Sequence, residues 1–166
     1  MDPEPAVERQ TGSTGASSAL VGIEPDHVFA ILTDLDRLPT WNEKMLRVVE
    51  LPDRVEPGAE WVVEFAMFGR KWKSRSRVSD LDVVGRRFEY RTHTDDGNPS
   101  FADWHWTVEA AAEGCRVSVS WELHPLTFWR RVVFLRVRAR QLAHHEVPAS
   151  LAALTRVGVA NGQTSG

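Results

Sequence analysis

The chain has 166 residues, of which 42% are hydrophobic and 26% charged, and its formal net charge is −3 at pH 7. This length and composition fit one globular domain and exclude a disordered chain, while the slightly negative charge gives no general attraction to nucleic acid. The single cysteine, Cys115, excludes an internal disulfide framework and favours a reducing, cytoplasmic location. The acidic first ten residues lack the apolar core of a secretory signal.

The first part of the chain predicts a loose tail, one strand and two short helices. Pro, Gly, Ser and Thr dominate residues 1–15, and small residues fill the candidate strand at 16–23. Pro25 suits the first turn of a helix, and the apolar residues after it recur at helical spacing. A second short helical turn is predicted near Pro39 and carries Trp41.

From residue 46 onward the hydrophobic period changes to two, which indicates strands. The alternation predicts strands over residues 46–51, 61–68, 71–81, 87–94, 102–108 and 116–123. The sequence Asp95-Asp96-Gly97-Asn98 is a strong hairpin-turn signal. Because these strands are apolar on one face only, they predict an antiparallel meander with one solvated face.

The apolar face of such a sheet needs a cover, and residues 127–157 predict a long amphipathic helix. Its hydrophobic residues recur every seven positions: Phe128, Leu135, Leu142 and Ala149. Pro148 is expected to kink or restart this helix. The predicted organisation is therefore one domain over residues 16–157 between disordered tails at 1–15 and 158–166.

Two motifs and the order of the segments resemble the START-like (SRPBCC) helix-grip superfamily, in its polyketide cyclase/dehydrase and lipid-transport branch. The first motif, residues 23–42 (IEPDHVFAILTDLDRLPTWN), joins a strand end to a proline-led helix and a Pro-x-Trp. The second is the closing strand 117–123 followed by the amphipathic helix. The resemblance covers residues 16–157 and implies an α+β helix-grip fold. In that fold a curved antiparallel sheet wraps around a long C-terminal helix, and two short helices follow the first strand.

The inner face of the predicted sheet is unusually aromatic, since the chain has seven tryptophans but one tyrosine. Large aromatic side chains line most apolar pockets, although plain core packing is the competing interpretation. The two inward serines would hydrogen-bond a polar atom of the ligand. The predicted ligand-binding residues lie on this face or on the long helix: Phe65, Trp72, Ser74, Ser76, Tyr90, Trp104, Trp106, Trp121, Leu135 and Leu142.

Three functions stay open at this point, because the superfamily includes cyclases, lipid carriers, quinone chaperones and hydrolase-like proteins. The main hypothesis is binding of a hydrophobic small molecule such as a polyketide, lipid or isoprenoid. The second is a polyketide cyclase or dehydratase acting on a bound poly-ketone, with His145 and Tyr90 as acid–base candidates. The third is a module that docks on a membrane surface or a partner protein through the arginine-rich C-terminal helix.

Metals and cofactors are not expected. The sequence has no H-E-x-x-H motif and no paired cysteines, so a metal site is not predicted. It also has neither G-x-G-x-x-G nor a P-loop. Membrane contact is compatible with the basic C-terminal helix but not required.

Overall fold

The computed structural model describes residues 14–67, 69–126 and 141–163. In this part of the chain, seven strands form one sheet in the spatial order β1-β7-β6-β5-β4-β3-β2, and all neighbours pair antiparallel. The strands are β1 (Thr14–Val21), β2 (Met45–Glu50), β3 (Glu60–Met67), β4 (Arg70–Asp82), β5 (Arg87–Thr94), β6 (Phe101–Ala111) and β7 (Gly114–His124). The predicted antiparallel meander is confirmed, with β1 returning to pair with the last strand.

Two short helices connect β1 to β2, as the sequence predicts. Helix α1 spans Pro25–Thr33 with the proline in its first turn, where the missing backbone N–H costs nothing. Its apolar residues are buried in the core. A 3₁₀ turn at Leu35–Arg37 leads into α2, Leu38–Trp41, which buries Trp41.

The described part of the C-terminal helix begins with a π-helical turn over Leu142–Glu146 and continues as α3, Val147–Gln163. Proline has no N–H to donate within a helix, and Pro148 follows directly after this irregular turn. Helix α3 packs against α1, α2 and β1. Strand β1 begins at Thr14 and helix α3 ends at Gln163, so this helix continues past residue 157, where the sequence predicts the end of the domain.

The small residues of β1 leave room for a tryptophan on the neighbouring strand. Gly15 pairs with Trp121, and a Cβ at position 15 would overlap the indole ring. The indole is buried, with 2% of its residue surface exposed. The glycine at position 15 of this edge strand is therefore what leaves space for the large ring.

The two faces of the sheet differ as the alternation of β4 predicts. Ser74 and Ser76 are buried on the inner face, whereas Lys71 and Lys73 are exposed on the outer face. Register shifts between β2 and β3 and between β4 and β5 mark bulges, which bend the strands that carry them. The sheet thus has a charged outer surface and an apolar inner surface that faces the helices, and the α+β helix-grip prediction is confirmed.

Candidate functional site

A cavity of about 640 Å³ lies between the inner face of the sheet and the helices. Its described lining comes from α1, α2, strands β2 to β7 and the turn and helix over residues 142–150. Sites for small molecules in proteins commonly measure about 300–1,000 Å³. The space is therefore large enough for one small organic molecule.

Most of the predicted ligand-binding residues border this cavity: Phe65, Trp72, Ser74, Ser76, Tyr90, Trp104, Trp106 and Leu142. They come together because alternate residues of β3, β4, β5 and β6 point to the same face. Their contact with a ligand stays a prediction. Leu135 lies outside the described residues.

Trp121 has the inward parity that the sequence predicts, but it is not among the residues that border the cavity. Its ring lies 5.9 Å from that of Trp104, and its edge is against Gly15. Trp121 is therefore buried in the core beside Trp104, its partner on the neighbouring strand, and its contact with a ligand stays a prediction. The alternation along a strand predicts which face a residue lies on but not how deeply it is buried. The burial of Trp121 depends on Gly15, whose lack of a side chain leaves space for the indole.

The aromatic residues form a connected wall at the centre of the inner face. The rings of Tyr90 and Trp104 are 6.3 Å apart and nearly parallel, with 19° between their planes. Tyr90 also contacts Trp61 edge-on at 5.1 Å, and Trp106 meets Trp41 edge-on at 5.8 Å. Such offset and edge-to-face pairs are the favoured arrangements of aromatic rings.

Tyr90 is held in place by its neighbour on β6. The indole Nε1–H of Trp106 donates a hydrogen bond to the Tyr90 hydroxyl oxygen, with 3.3 Å between the heavy atoms. Burial raises the pKa of Tyr90 to about 12, and this bond lowers it only in part. The phenol is therefore neutral at physiological pH and keeps its proton.

A strip of hydroxyl groups lies beside the aromatic wall, on paired positions of β4 and β5. The hydroxyls of Ser76 and Thr92 are 2.7 Å apart and share a hydrogen bond. The Ser74 hydroxyl donates to the carbonyl oxygen of His93 at 3.1 Å, and that of Thr94 donates to Asp96 at 2.8 Å. The wall therefore changes from aromatic to polar along these two strands.

The rim of the cavity carries the charged groups. Arg70, Asp96 and Glu146 border it, together with His93 and His124. His124 stacks on Phe101 with 4.4 Å between the ring centres. Both histidines have the outward parity of their strands, yet they reach the rim at the strand ends.

The acid–base candidate His145 is exposed and is not among the residues that border the cavity. Leu142, Glu146 and Val147 take the inward positions instead. Of the two acid–base candidates, Tyr90 therefore borders the cavity and His145 does not, and a catalytic role for either stays a prediction.

Several lining residues were not singled out in the sequence. Thr92 and Trp61 share the inward parity of Tyr90 and Phe65, so the alternation of their strands could have identified them. Trp41 and Asn42 lie in the short helix and the turn after it, where no period indicates a direction. Their role in the cavity depends on how α2 folds over the sheet.

Two negative findings apply to the described residues only. They contain no group of three or more His, Cys, Asp or Glu side chains that could hold a metal ion. They also contain no helix long and apolar enough to cross a bilayer.

Comparison with solved structures shows that other proteins share this fold. Three crystal structures share the fold at low sequence identity. Ara h 8.0201 has a TM-score of 0.69 and 15% identity, over 89% of this chain and 97% of that one. Protein CV1439 from Chromobacterium violaceum has a TM-score of 0.70 and 20% identity, over 87% and 96%. TTHA0849 from Thermus thermophilus has a TM-score of 0.69 and 16% identity, over 89% and 98%.

At these identities the likeness establishes the fold, and the sequence itself establishes the family. A comparison with curated protein sequences found no match. The model of the family described as "Polyketide cyclase / dehydrase and lipid transport" matches residues 15–157, nearly the whole of the described fold. The chain therefore belongs to this family of the START-like helix-grip superfamily.

Proposed function

We propose that the protein binds one hydrophobic small molecule, such as a polyketide, lipid or isoprenoid, in the cavity between sheet and helices. The observation that carries this proposal is the incomplete burial of aromatic side chains on an inner face. Phe65, Tyr90 and Trp104 are only half-buried although they border the interior cavity. Protein interiors are normally packed as densely as organic crystals. Aromatic surface that stays accessible inside a domain is therefore typical of a ligand pocket.

An apolar ligand would supply the van der Waals contacts that these aromatic rings lack on the cavity side. These rings border the cavity and keep part of their surface accessible, so they forfeit dispersion contacts there. A guest in the cavity restores those contacts and leaves water at the same time. Binding is therefore driven by the aromatic wall, and the polar groups select among apolar guests.

The proposal is tested with fluorene, an uncharged three-ring hydrocarbon, titrated while the fluorescence of the tryptophans is followed. We expect saturable quenching with one site per chain. Ala102 borders the cavity, whereas Ala110 on the same strand is exposed. Ala102→Leu should fill part of the cavity and weaken fluorene binding, while Ala110→Leu, the same change outside the cavity, should leave it unaltered. Absence of saturable binding, or equal effects of the two variants, would contradict the proposal.

Cyclisation or dehydration of a bound poly-ketone is the second candidate, and the position of Tyr90 favours it. In an aldol ring closure a carbon beside one carbonyl loses a proton, and the resulting enolate carbon attacks a second ketone carbon. The oxygen of that ketone gains negative charge and takes up a proton to become a hydroxyl, which leaves as water together with a hydrogen from the neighbouring carbon. A neutral phenol beside that oxygen would donate a hydrogen bond to the developing charge. The test is incubation with a linear poly-ketone thioester, where wild type should yield a product lighter by one water and Tyr90→Phe should be slower.

The membrane-surface or protein-interaction module receives no structural support here, since most of its arginine-rich segment lies outside the described residues. Within them, Arg156 is exposed on α3. We keep a cytoplasmic location as part of the proposal, because the only cysteine, Cys115, is buried and free. Burial raises the pKa of its thiol, which makes it a poor nucleophile.

A further inference from the structure

The cavity wall offers hydrogen-bond donors that the described residues do not use. Tyr90 accepts a hydrogen bond from Trp106, so its oxygen is oriented while its own hydrogen meets no acceptor among the described groups. Ser76 and Thr92 have two hydroxyl hydrogens and share one bond, so one hydrogen of this pair is likewise unused within the described part of the chain. Tyr90 and Thr92 are two residues apart on β5, so their Cα atoms lie about 7 Å apart and both side chains point to the same face.

The other two hydroxyls of the strip are different, because each already donates. Ser74 donates to a backbone carbonyl and Thr94 to a carboxylate. Each can still accept a hydrogen bond but has no hydrogen to give to a guest. The donors available to a guest are therefore Tyr90, next to the aromatic wall, and the Ser76–Thr92 pair.

The charges around the cavity argue against an ionised group deep inside it. Arg70 is the one lysine or arginine among the described lining residues, and it is exposed at the rim. Asp96 and Glu146 border the same cavity, so the carboxylates of the described lining outnumber its lysine and arginine side chains. An unpaired buried charge is very costly, whereas a neutral oxygen with a hydrogen-bond donor is not.

We infer that the ligand is an uncharged aromatic or conjugated compound with a keto-type oxygen, and that the Tyr90 hydroxyl donates a hydrogen bond to that oxygen. This inference rests on the proposed function and narrows it. It assigns Tyr90 the selection of neutral carbonyl compounds over hydrocarbons of equal shape. It also assigns Trp106 a positioning role, because its N–H occupies a lone pair of the phenol and fixes the direction of the O–H.

The test compares fluorene with fluorenone, which has the same ring skeleton and one added carbonyl group. A neutral hydrogen bond contributes about threefold to tenfold in affinity. We therefore expect Tyr90→Phe to weaken fluorenone binding by about that factor and to change fluorene binding by less than about twofold. The matched control is Thr107→Val on the neighbouring strand β6, which removes a hydroxyl that does not border the cavity and should leave both affinities unchanged.

A second measurement needs no variant and so does not depend on how Tyr90→Phe folds. The carbonyl stretch of fluorenone bound to wild type should appear at lower wavenumber in the infrared than that of fluorenone in hexane, because the oxygen accepts a hydrogen bond. A stretch equal to that in hexane, or an equal loss of both affinities in Tyr90→Phe, would overturn the inference while leaving the cavity proposal intact. Failure of both compounds to bind would instead overturn the proposed function itself.

Discussion

Truncation of two tryptophans on one strand should separate a cavity wall from a packed core. Trp106 is 4% exposed, meets Trp41 edge-on and donates to Tyr90, so it is enclosed even though it touches the cavity. Trp104 is two residues away on the same face but is only half-buried, because one side borders the cavity. Trp106→Ala should therefore cost about 3–5 kcal/mol of unfolding free energy, the range for a large buried aromatic.

Trp104→Ala should cost clearly less, about 1–2 kcal/mol, since the open side of its ring has few contacts to lose. Fluorene affinity should fall in this variant because the guest loses part of its wall. The assay is urea unfolding followed by circular dichroism, with both variants and wild type measured at one protein concentration. Equal destabilisation by the two truncations, with no change in fluorene binding, would show that the interior is solid core and would refute the reasoning.

Three further predictions concern the frame of the cavity. Gly15→Ala should lower the free energy of unfolding by about 1–3 kcal/mol in urea, because the added Cβ meets the indole of Trp121. The control Gly22→Ala has space for the added atom and should cost less, and equal costs would contradict this contact. Tyr90 is the only tyrosine, so absorbance of tyrosinate should titrate near pH 12 in the folded protein. Since the unfolded chain gives up this proton near pH 10, the contribution to stability is complete below pH 10 and lost as the pH rises towards 12, and a midpoint at 10 would show an exposed phenol. Arg75→Gln should lower the free energy of unfolding by about 1 kcal/mol, and Arg77→Gln by less than about 0.5 kcal/mol. The reason is that Arg75 lies within 3.4 Å of three carboxylates, whereas Arg77 reaches one at 3.9 Å. A larger loss for Arg77→Gln than for Arg75→Gln would contradict this explanation.

The sheet could be predicted from sequence because the hydrophobic period is strong and local. In β4 the buried serines alternate with basic residues of the outer face, so the face of each residue follows from its position along the strand. The two helices after β1 were equally clear, because Pro25 sets the start of α1 and the apolar residues that follow define its buried face.

Depth within the fold could not be predicted in the same way. Trp104 and Trp121 face each other on neighbouring strands with the same parity, yet only Trp104 borders the cavity. The difference arises from Gly15 on a third strand, which lies far away in sequence. A period of two carries no information on such a contact.

The direction of His145 could not be predicted, because adjacent residues on a helix point in different directions and the sequence left open which of the two histidines faces inward. The chain forms a π-helical turn over Leu142–Glu146, just before Pro148, and His145 is exposed there. Glu146 borders the cavity together with Leu142, four residues earlier. The proline was visible in the sequence, but the extent of the irregular turn was not.

The most direct test of the central claim is a crystal structure of the protein grown with fluorenone. We predict electron density for one molecule in the cavity, with its rings against Tyr90 and Trp104 and its oxygen within about 3 Å of the Tyr90 hydroxyl. An interior filled by side chains, with fluorenone absent or bound only on the outer surface, would contradict the account.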